Sequence, residues 1–267
     1  MIKELNDGCA FWQESIKRIA AGQRTNLFLS EDEVVSLIDA GKAWRMEFDG
    51  GVYTFMKEWN CYRLYYFLEK QILPWVLPDL QLPIILEEVA VENKPRMPAE
   101  AHWQEAGLQP YLQRKRMYLM AKNIVSEMRE LTFATEDMLM ELWESMHSSF
   151  EPYTSALPTK EELLQDILGR KVLVSKNGQA LQGYLHFGET KQGSVLWHIA
   201  VLPHAQGKGV ASGLVKDWFF AQREQAKKFL LWVRIDNQPA LALYEKFGFL
   251  PDGRVAPVMI KTTKQRG

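Results

Sequence analysis

A chain of 267 residues with 47% hydrophobic and 24% charged residues has the make-up of a globular protein, and its length suits two domains of roughly 130 residues each. A formal net charge of −1, with no basic stripe, argues against nucleic acid as a partner, and no stretch nears the ~18 consecutive apolar residues of a membrane span. Cys9 and Cys61 stand far apart with no C-x-x-C pair, and the N-terminal residues lack the apolar core of a leader, so no metal site or disulfide framework is expected and the setting is read as cytoplasmic.

In the first half, Ser30-Glu31-Asp32-Glu33 is a capping box that opens a helix ended by Gly41. Strands over 43–48 and 52–58 flank the turn Asp49-Gly50-Gly51, and residues 62–69 and 84–92 read as two more strands. The segment between those last two, 70–83, is broken by Pro74, Pro78 and Pro83 and contains no glycine, which leaves no room for a loop and helix. A short helix follows in Pro98-Ala99-Glu100-Ala101-His102-Trp103-Gln104-Glu105-Ala106-Gly107-Leu108. The aromatic residues Trp44, Trp59, Tyr62, Tyr65, Tyr66 and Trp75 fit either a core or an apolar pocket wall.

A polar connector between Met120 and Arg129 places the domain boundary at 125/126, giving domains 1–125 and 126–267. The second half then reads as a strand at 129–133, a helix capped by Thr135 running to about Phe150, and a helix opened by the capping box Thr159-Lys160-Glu161-Glu162 and closed near Gly169. Strands over 171–175 and 180–187 surround the hairpin turn Asn177-Gly178, and a strand at 194–202 follows. Beyond it come a glycine loop, a helix, a buried strand at 230–233, another helix and a short strand at 258–261.

The most informative stretch runs from Trp197 through Pro203-His204-Ala205-Gln206-Gly207-Lys208-Gly209 to Val210 and Ala211, a strand feeding a glycine loop that opens a helix. Amides in such a loop and at a helix start lack intrahelical partners and point outward together, and the helix dipole favours an anion there. Gly207 and Gly209 tolerate positive φ, and Lys208 offers a point charge, although a solvated loop lysine fits equally well. The helix itself is supported by Val210, Ala211, Leu214, Val215, Trp218 and Phe219 on one face.

Three phosphate motifs compete for these glycines. A P-loop needs four residues between its glycines and then Lys-Ser/Thr, which is absent. The dinucleotide fingerprint places Ser212 where Gly or Ala belongs and finds no acidic residue closing the next strand, since Asp236 lies beyond it. The pattern Gln/Arg-x-x-Gly-x-Gly/Ala is met in full by Gln206, Gly209 and Ala211. Some 30 residues on, Leu230-Leu231-Trp232-Val233-Arg234-Ile235-Asp236-Asn237 leads into Pro239-Ala240-Leu241-Ala242-Leu243-Tyr244-Glu245-Lys246-Phe247-Gly248-Phe249. Asn237 is a natural N-cap, Pro239 suits the first turn, and Gly248 suits the left-handed position after the helix.

With both motifs in order, the second half resembles the GCN5-related N-acetyltransferase (GNAT) family. The resemblance implies an α/β (α+β) fold with a mixed, mostly antiparallel sheet flanked by helices. It implies that Gln206, Gly207, Lys208, Gly209, Val210 and Ala211 hold the pyrophosphate of acetyl-CoA, that backbone groups of Ile199, Ala200 and Val201 bind the pantetheine arm, and that Asn237 and Ala240 also contact the cofactor. Tyr244, by spacing alone an aromatic core residue, becomes by resemblance the general acid for the departing thiolate; a phenol with a pKa near 10 is protonated at neutral pH.

The reaction implied is transfer of an acetyl group to a primary amine, with a general base or water chain to deprotonate an acceptor that is neutral only about once in 10³ at pH 7. His198 is the candidate base, yet strand alternation sets Trp197, Ile199 and Val201 on one face and His198 on the other, which fits a structural histidine better. His186, Glu151 and Tyr184 are lesser candidates, and His204 in the loop reads as solvated or beside phosphate. Acceptor contacts are expected from loops at 149–158 and 188–193 and from the first half.

The first half reads as a degenerate copy of the second. Pro98, Ala99, Ala101, Trp103 and Gly107 align with Pro239, Ala240, Ala242, Tyr244 and Gly248 at an offset of 141, whereas the hairpin turns differ by 128, so the copy has lost residues in the proline-broken crossover and cannot cradle pyrophosphate. Two rival functions stay open, a coenzyme A sensor without catalysis and a scaffold without ligand. A homodimer is also left open.

Overall fold

The computed structural model describes residues 2–94, 98–124 and 128–263. The chain forms two compact units, residues 1–113 with 254–267 (unit 1) and residues 114–253 (unit 2). These divisions differ from the single boundary expected at 125/126, which lies outside the described residues.

Unit 1 begins with β1 (Ile2–Glu4), α1 (Gly8–Ala20), β2 (Arg24–Thr25) and α2 (Glu31–Asp39). Ser30 and Glu33 form the reciprocal capping box at the start of α2. Helix α1 is not apparent from the sequence, because only Phe11 among its buried residues is large and apolar; Gly8 and Ser15 fill the other inward positions. A Cβ at Gly8 would lie 2.6 Å from the Val35 Cα, so the glycine permits a close approach of α1 to α2.

Next come β3 (Ala43–Phe48), β4 (Gly51–Lys57), β5 (Tyr62–Leu68), β6 (Ile84–Glu87), β7 (Ala90–Val91) and α3 (Glu100–Glu105). The strand order is β1-β3-β4-β5-β6, and β6 and β7 pair with residues 254–261 of the last strand. All these pairings are antiparallel except β5 with β6. The strand expected at 84–92 is split into β6 and β7 where Pro257, which has no N–H, faces Glu88. One face of the sheet buries Phe11, Val34 and Ile38 from α1 and α2, and the other buries Trp103 of α3 with Tyr53, Phe55, Leu64, Tyr66 and Met259. Among the described residues, no helix spans the crossover from β5 to β6, as its prolines require.

Unit 2 takes residues 114–120 of β8 (Gln109–Met120), then α4 (Leu139–Ser149), α5 (Lys160–Leu168), β9 (Val172–Asn177), β10 (Ala180–Thr190), β11 (Gly193–Val201), α6 (Val210–Ala221), β12 (Lys228–Arg234), α7 (Gln238–Lys246) and the start of β13 (Leu250–Lys261). Its order is β8-β12-β11-β10-β9, with β11 and β12 parallel and the rest antiparallel. Helices α6 and α7 cover one face through Leu214, Val215, Trp218, Phe219, Leu241 and Tyr244; α4 and α5 cover the other through Leu142, Met146, Leu163 and Ile167.

Three local expectations change. Residues 129–133 form no strand; the segment reaches β9 only through a bridge at Phe133 and bonds from Ala134 N to Val172 O and Val174 N to Thr132 O. The β9–β10 turn is Gly178-Gln179, one residue later than expected, because Asn177 already pairs with Ala180 and Gly178 takes the positive φ of the first central position. Strand β8 carries Arg114, Lys115 and Arg116 and so hides its β character, yet all three pair in register with β12. The architecture is α/β with mostly antiparallel sheets flanked by helices.

Candidate functional site

The site is built on a fault in a strand. Between β10 and β11 the register shifts at His186/Phe187, where Phe187 faces Leu196 and His186 faces His198, leaving Trp197 as the extra residue of a β-bulge. The bulge overturns the alternation expected from sequence. Leu196 and Ile199, three residues apart, both pack toward α6 and α7, while Trp197 and His198 share the opposite face, each against His186.

The bulge also ends the parallel pairing of β11 with β12, which runs only from Ser194↔Phe229 to Leu196↔Leu231. Ile199, Ala200 and Val201 keep their antiparallel partners Leu185, Tyr184 and Gly183 on β10 but, among the described residues, have no strand partner on the β12 side. Each of the three is only partly buried. An extended polar ligand could add to that edge as a strand does.

Past Val201 the chain makes one 3₁₀ turn at Pro203–Ala205 and enters the loop. Gln206 folds back, its Nε2 donating to Val201 O at 3.2 Å. Gly207 and Gly209 take φ of +75° and +80°, and a Cβ built on either meets no atom within 4 Å, so both border open space. The amides of Gly207, Lys208 and Gly209 donate to no described residue. Gly209 is the N-cap of α6 and has no side chain to satisfy the first-turn amides of Val210 and Ala211. Lys208 and His204 are exposed beside this row of donors.

Helix α7 starts as its sequence dictates. Asn237 Oδ1 accepts from Ala240 N at 3.2 Å, Pro239 lies in the first turn, and Gly248 with φ +85° follows the last turn. Tyr244 is 3% exposed and packs edge-on against Phe249. Burial pushes its hydroxyl above the ordinary phenol range, so it stays protonated, and among the described residues it has no hydrogen-bond partner.

His198 is 2% exposed and both ring nitrogens are engaged: Nε2 lies 2.6 Å from Ser155 O, and Nδ1 lies 3.1 Å from His186 Nδ1. Since a carbonyl only accepts, Nε2 carries a proton and the ring offers no free lone pair to an amine. Desolvation, with the nearby His186, pulls its pKa down to about 4. The lesser base candidates are tied down as well. His186 Nε2 lies 3.0 Å from Asp166 Oδ2, Glu151 caps Tyr153 N and Thr154 N at 2.8 Å each, and Tyr184 is buried with its hydroxyl raised by burial and held by Ser145. Asp166 is absent from the sequence reading, and Ser155 enters it only within the 149–158 loop. Neither belongs to a motif, and only the packing of α5 and the 150–158 segment against β10 and β11 brings them to the histidines.

Unit 1 contains the matching parallel pair, and a side chain bridges its fork, beside a cavity of about 260 Å³ bordered by Asn26, Phe28, Tyr66 and Glu88. Strands β5 and β6 pair only at Tyr62↔Ile84 and Arg63↔Ile85. Where they part, the buried Asn26 carboxamide donates to Leu64 O at 2.9 Å and Glu87 O at 3.1 Å and accepts from Tyr66 N at 3.0 Å. Of the aromatic residues named above, Tyr65 and Tyr66 are core residues, whereas Trp59 and Trp75 are exposed.

The chain is similar to several known proteins. Residues 135–249 match the acetyltransferase (GNAT) family. A putative [ribosomal protein bS18]-alanine N-acetyltransferase of Bacillus subtilis (strain 168) is 29% identical over 93 residues, a match spanning 34% of this chain and 61% of the relative's length. A GCN5-related N-acetyltransferase from Sphaerobacter thermophilus superposes with a TM-score of 0.60 at 13% identity, covering 88% of this chain and 86% of the other. A tandem GNAT protein from the clavulanic acid biosynthesis pathway gives 0.57 at 12% identity, covering the whole of both chains. The stretch 135–249, most of unit 2, is a domain of the acetyltransferase (GNAT) family.

Proposed function

We propose that unit 2 transfers an acetyl group from acetyl-CoA to a primary amine of a small molecule or a peptide. The observation that carries this reading is the continuity of two donor sets, the unpaired edge of β11 at 199–201 and the open amides of the 206–211 loop. The first suits the amide groups of a pantetheine arm, and the second suits a pyrophosphate. Gln206, Gly207, Lys208, Gly209, Val210 and Ala211 would hold the phosphates; Asn237 and Ala240 at the start of α7 would border the arm. A backbone N–H of the 199–201 edge would polarise the thioester carbonyl, and Tyr244 would protonate the leaving thiolate. No metal enters this scheme. Unit 1, with its fork bridged by Asn26 and no glycine loop in its crossover, is the degenerate copy.

One observation favours a coenzyme A sensor instead, the absence of a free base among His198, His186, Glu151 and Tyr184. The two readings separate in a thiol-release assay with acetyl-CoA and a panel of amines that includes an alanine N-terminus. Release above background with any amine supports the enzyme. Tight coenzyme A binding with background release throughout supports the sensor, and no binding in calorimetry rejects both.

A further inference from the structure

The buried histidine pair poses a problem of proton counting. From Asp166 Oδ2 to Ser155 O there are three successive contacts: 3.0 Å to His186 Nε2, 3.1 Å between the two Nδ1 atoms, and 2.6 Å from His198 Nε2 to the carbonyl. Each contact is a hydrogen bond and holds one proton. The carbonyl brings none, so His198 Nε2 is protonated; an ionised carboxylate brings none, so His186 Nε2 is protonated; the middle contact requires a third. Two neutral imidazoles supply only two N–H groups. The rings therefore share one excess proton, balanced by Asp166.

The alternative, a neutral Asp166, is disfavoured by its second oxygen, which accepts from Lys171 Nζ at 2.9 Å. Partial burial works against ionisation, but the bonds from His186 and Lys171 outweigh it and hold the carboxyl below its ordinary range. The charged and titratable groups around the pair are Asp166 and Lys171 on the α5 side, and His147 of α4, which disfavours charge on His198. Trp197 packs edge-on against His186, and Phe150 packs edge-on against His198. The excess proton resides on His186, next to the only carboxylate of the set.

This charge is linked to a loop in an uncommon conformation. Ala156, directly after Ser155, has φ +47°, a left-handed value that alanine rarely adopts. The loop is tied at Thr154 O by Arg114 Nη1 at 2.7 Å, at Pro158 O by Trp143 Nε1 at 3.2 Å, and at Ser155 O by His198. We propose that Asp166, His186 and His198 are positioning residues, a one-proton relay that locks Ser155 and Ala156 and so fixes the wall against which an acceptor amine is held. The wall's role rests on the acetyltransferase reading above; the relay itself does not.

The test uses the full chain labelled with ¹⁵N. Histidine two-bond ¹H–¹⁵N spectra at about pH 8, where an ordinary imidazole is only about 3% protonated, are expected to show His186 as a full imidazolium and His198 as the neutral Nε2–H tautomer. Two neutral rings would overturn the proposal without any variant. In Asp166→Asn, His186 is expected to lose its extra proton, amide exchange over 154–157 to accelerate at least about tenfold, and exchange in α6 and β12 to stay as in the parent. Loss of the proton with unchanged loop exchange would reject the positioning role. With any amine that the parent acetylates, Asp166→Asn should raise the acceptor KM about tenfold while coenzyme A affinity changes less than about twofold. A parent that acetylates nothing would reject the enzyme reading and leave the spectra and exchange to decide the relay.

Discussion

The chain contains two parallel strand pairs that part after a short ladder, β5 with β6 in unit 1 and β11 with β12 in unit 2, and they end differently. In unit 2 a bulge at Trp197 turns β11 away, and its edge leads into a loop of open amides. In unit 1 a single asparagine satisfies two carbonyls and an amide at the fork, and the chain beyond β5 runs through prolines without a glycine loop. A parting of parallel strands creates unsatisfied backbone groups, and a fold can keep them for a ligand or spend a side chain to quench them. Unit 1 quenches them.

The sharpest way to break this contrast is Gly209→Glu. It forces a β-carbon into a left-handed position and a carboxylate among the phosphate donors, so coenzyme A affinity should fall at least about 100-fold, ~2.7 kcal/mol, in calorimetry. Affinity equal to the parent's would remove the cradle from the account. For the other fork, Asn26→Ala leaves Leu64 O, Glu87 O and Tyr66 N without their partner and should lower stability by about 2–3 kcal/mol in urea unfolding. Coenzyme A should bind with one site per chain in parent and variant alike, and a second site on opening the fork would show that unit 1 retains a hidden groove.

Tyr244→Phe removes only a hydroxyl. We expect kcat to fall about 10²-fold with coenzyme A affinity unchanged, whereas an unchanged kcat would return Tyr244 to the core. A pH test concerns His198. Its folded pKa of about 4 lies below the unfolded value near 6.5, so the unfolded chain binds more protons between those values. Stability should be fully present above about pH 6.5 and decline as pH falls toward 4, by at most about 3 kcal/mol from this group. Replacing His198 by Leu should flatten that window in urea titrations; an equally steep loss would assign the acid sensitivity elsewhere. Smallest of all, Lys208→Ala should weaken coenzyme A a few-fold, more at low salt than at high.

Local chemistry made much of the chain legible. The capping boxes at Ser30 and Thr159, the Asn237 cap and the left-handed glycines at 207, 209 and 248 depend on interactions a few residues apart, and each takes the conformation that its sequence implies. Strand β8 and helix α1 were illegible for a related reason: their burial comes from partners distant in the chain, so neither displays a clean apolar period of its own. The turn at Gly178 moved by one residue because the β9–β10 register, not the Asn-Gly signal, set it.

By itself the sequence determined the order of elements from α4 to α7, the glycine loop before α6, the helix-lacking crossover in the first half and the resemblance that led to the family. Tertiary structure alone decided the bulge at Trp197, the occupation of both His198 nitrogens, the meeting of Asp166 with His186 and the bridging of the first fork by Asn26. Each of these joins residues from separate elements through a strand register or a buried hydrogen bond. Such contacts are selected by packing and by the need to satisfy polar groups away from water, and no spacing along the chain encodes them.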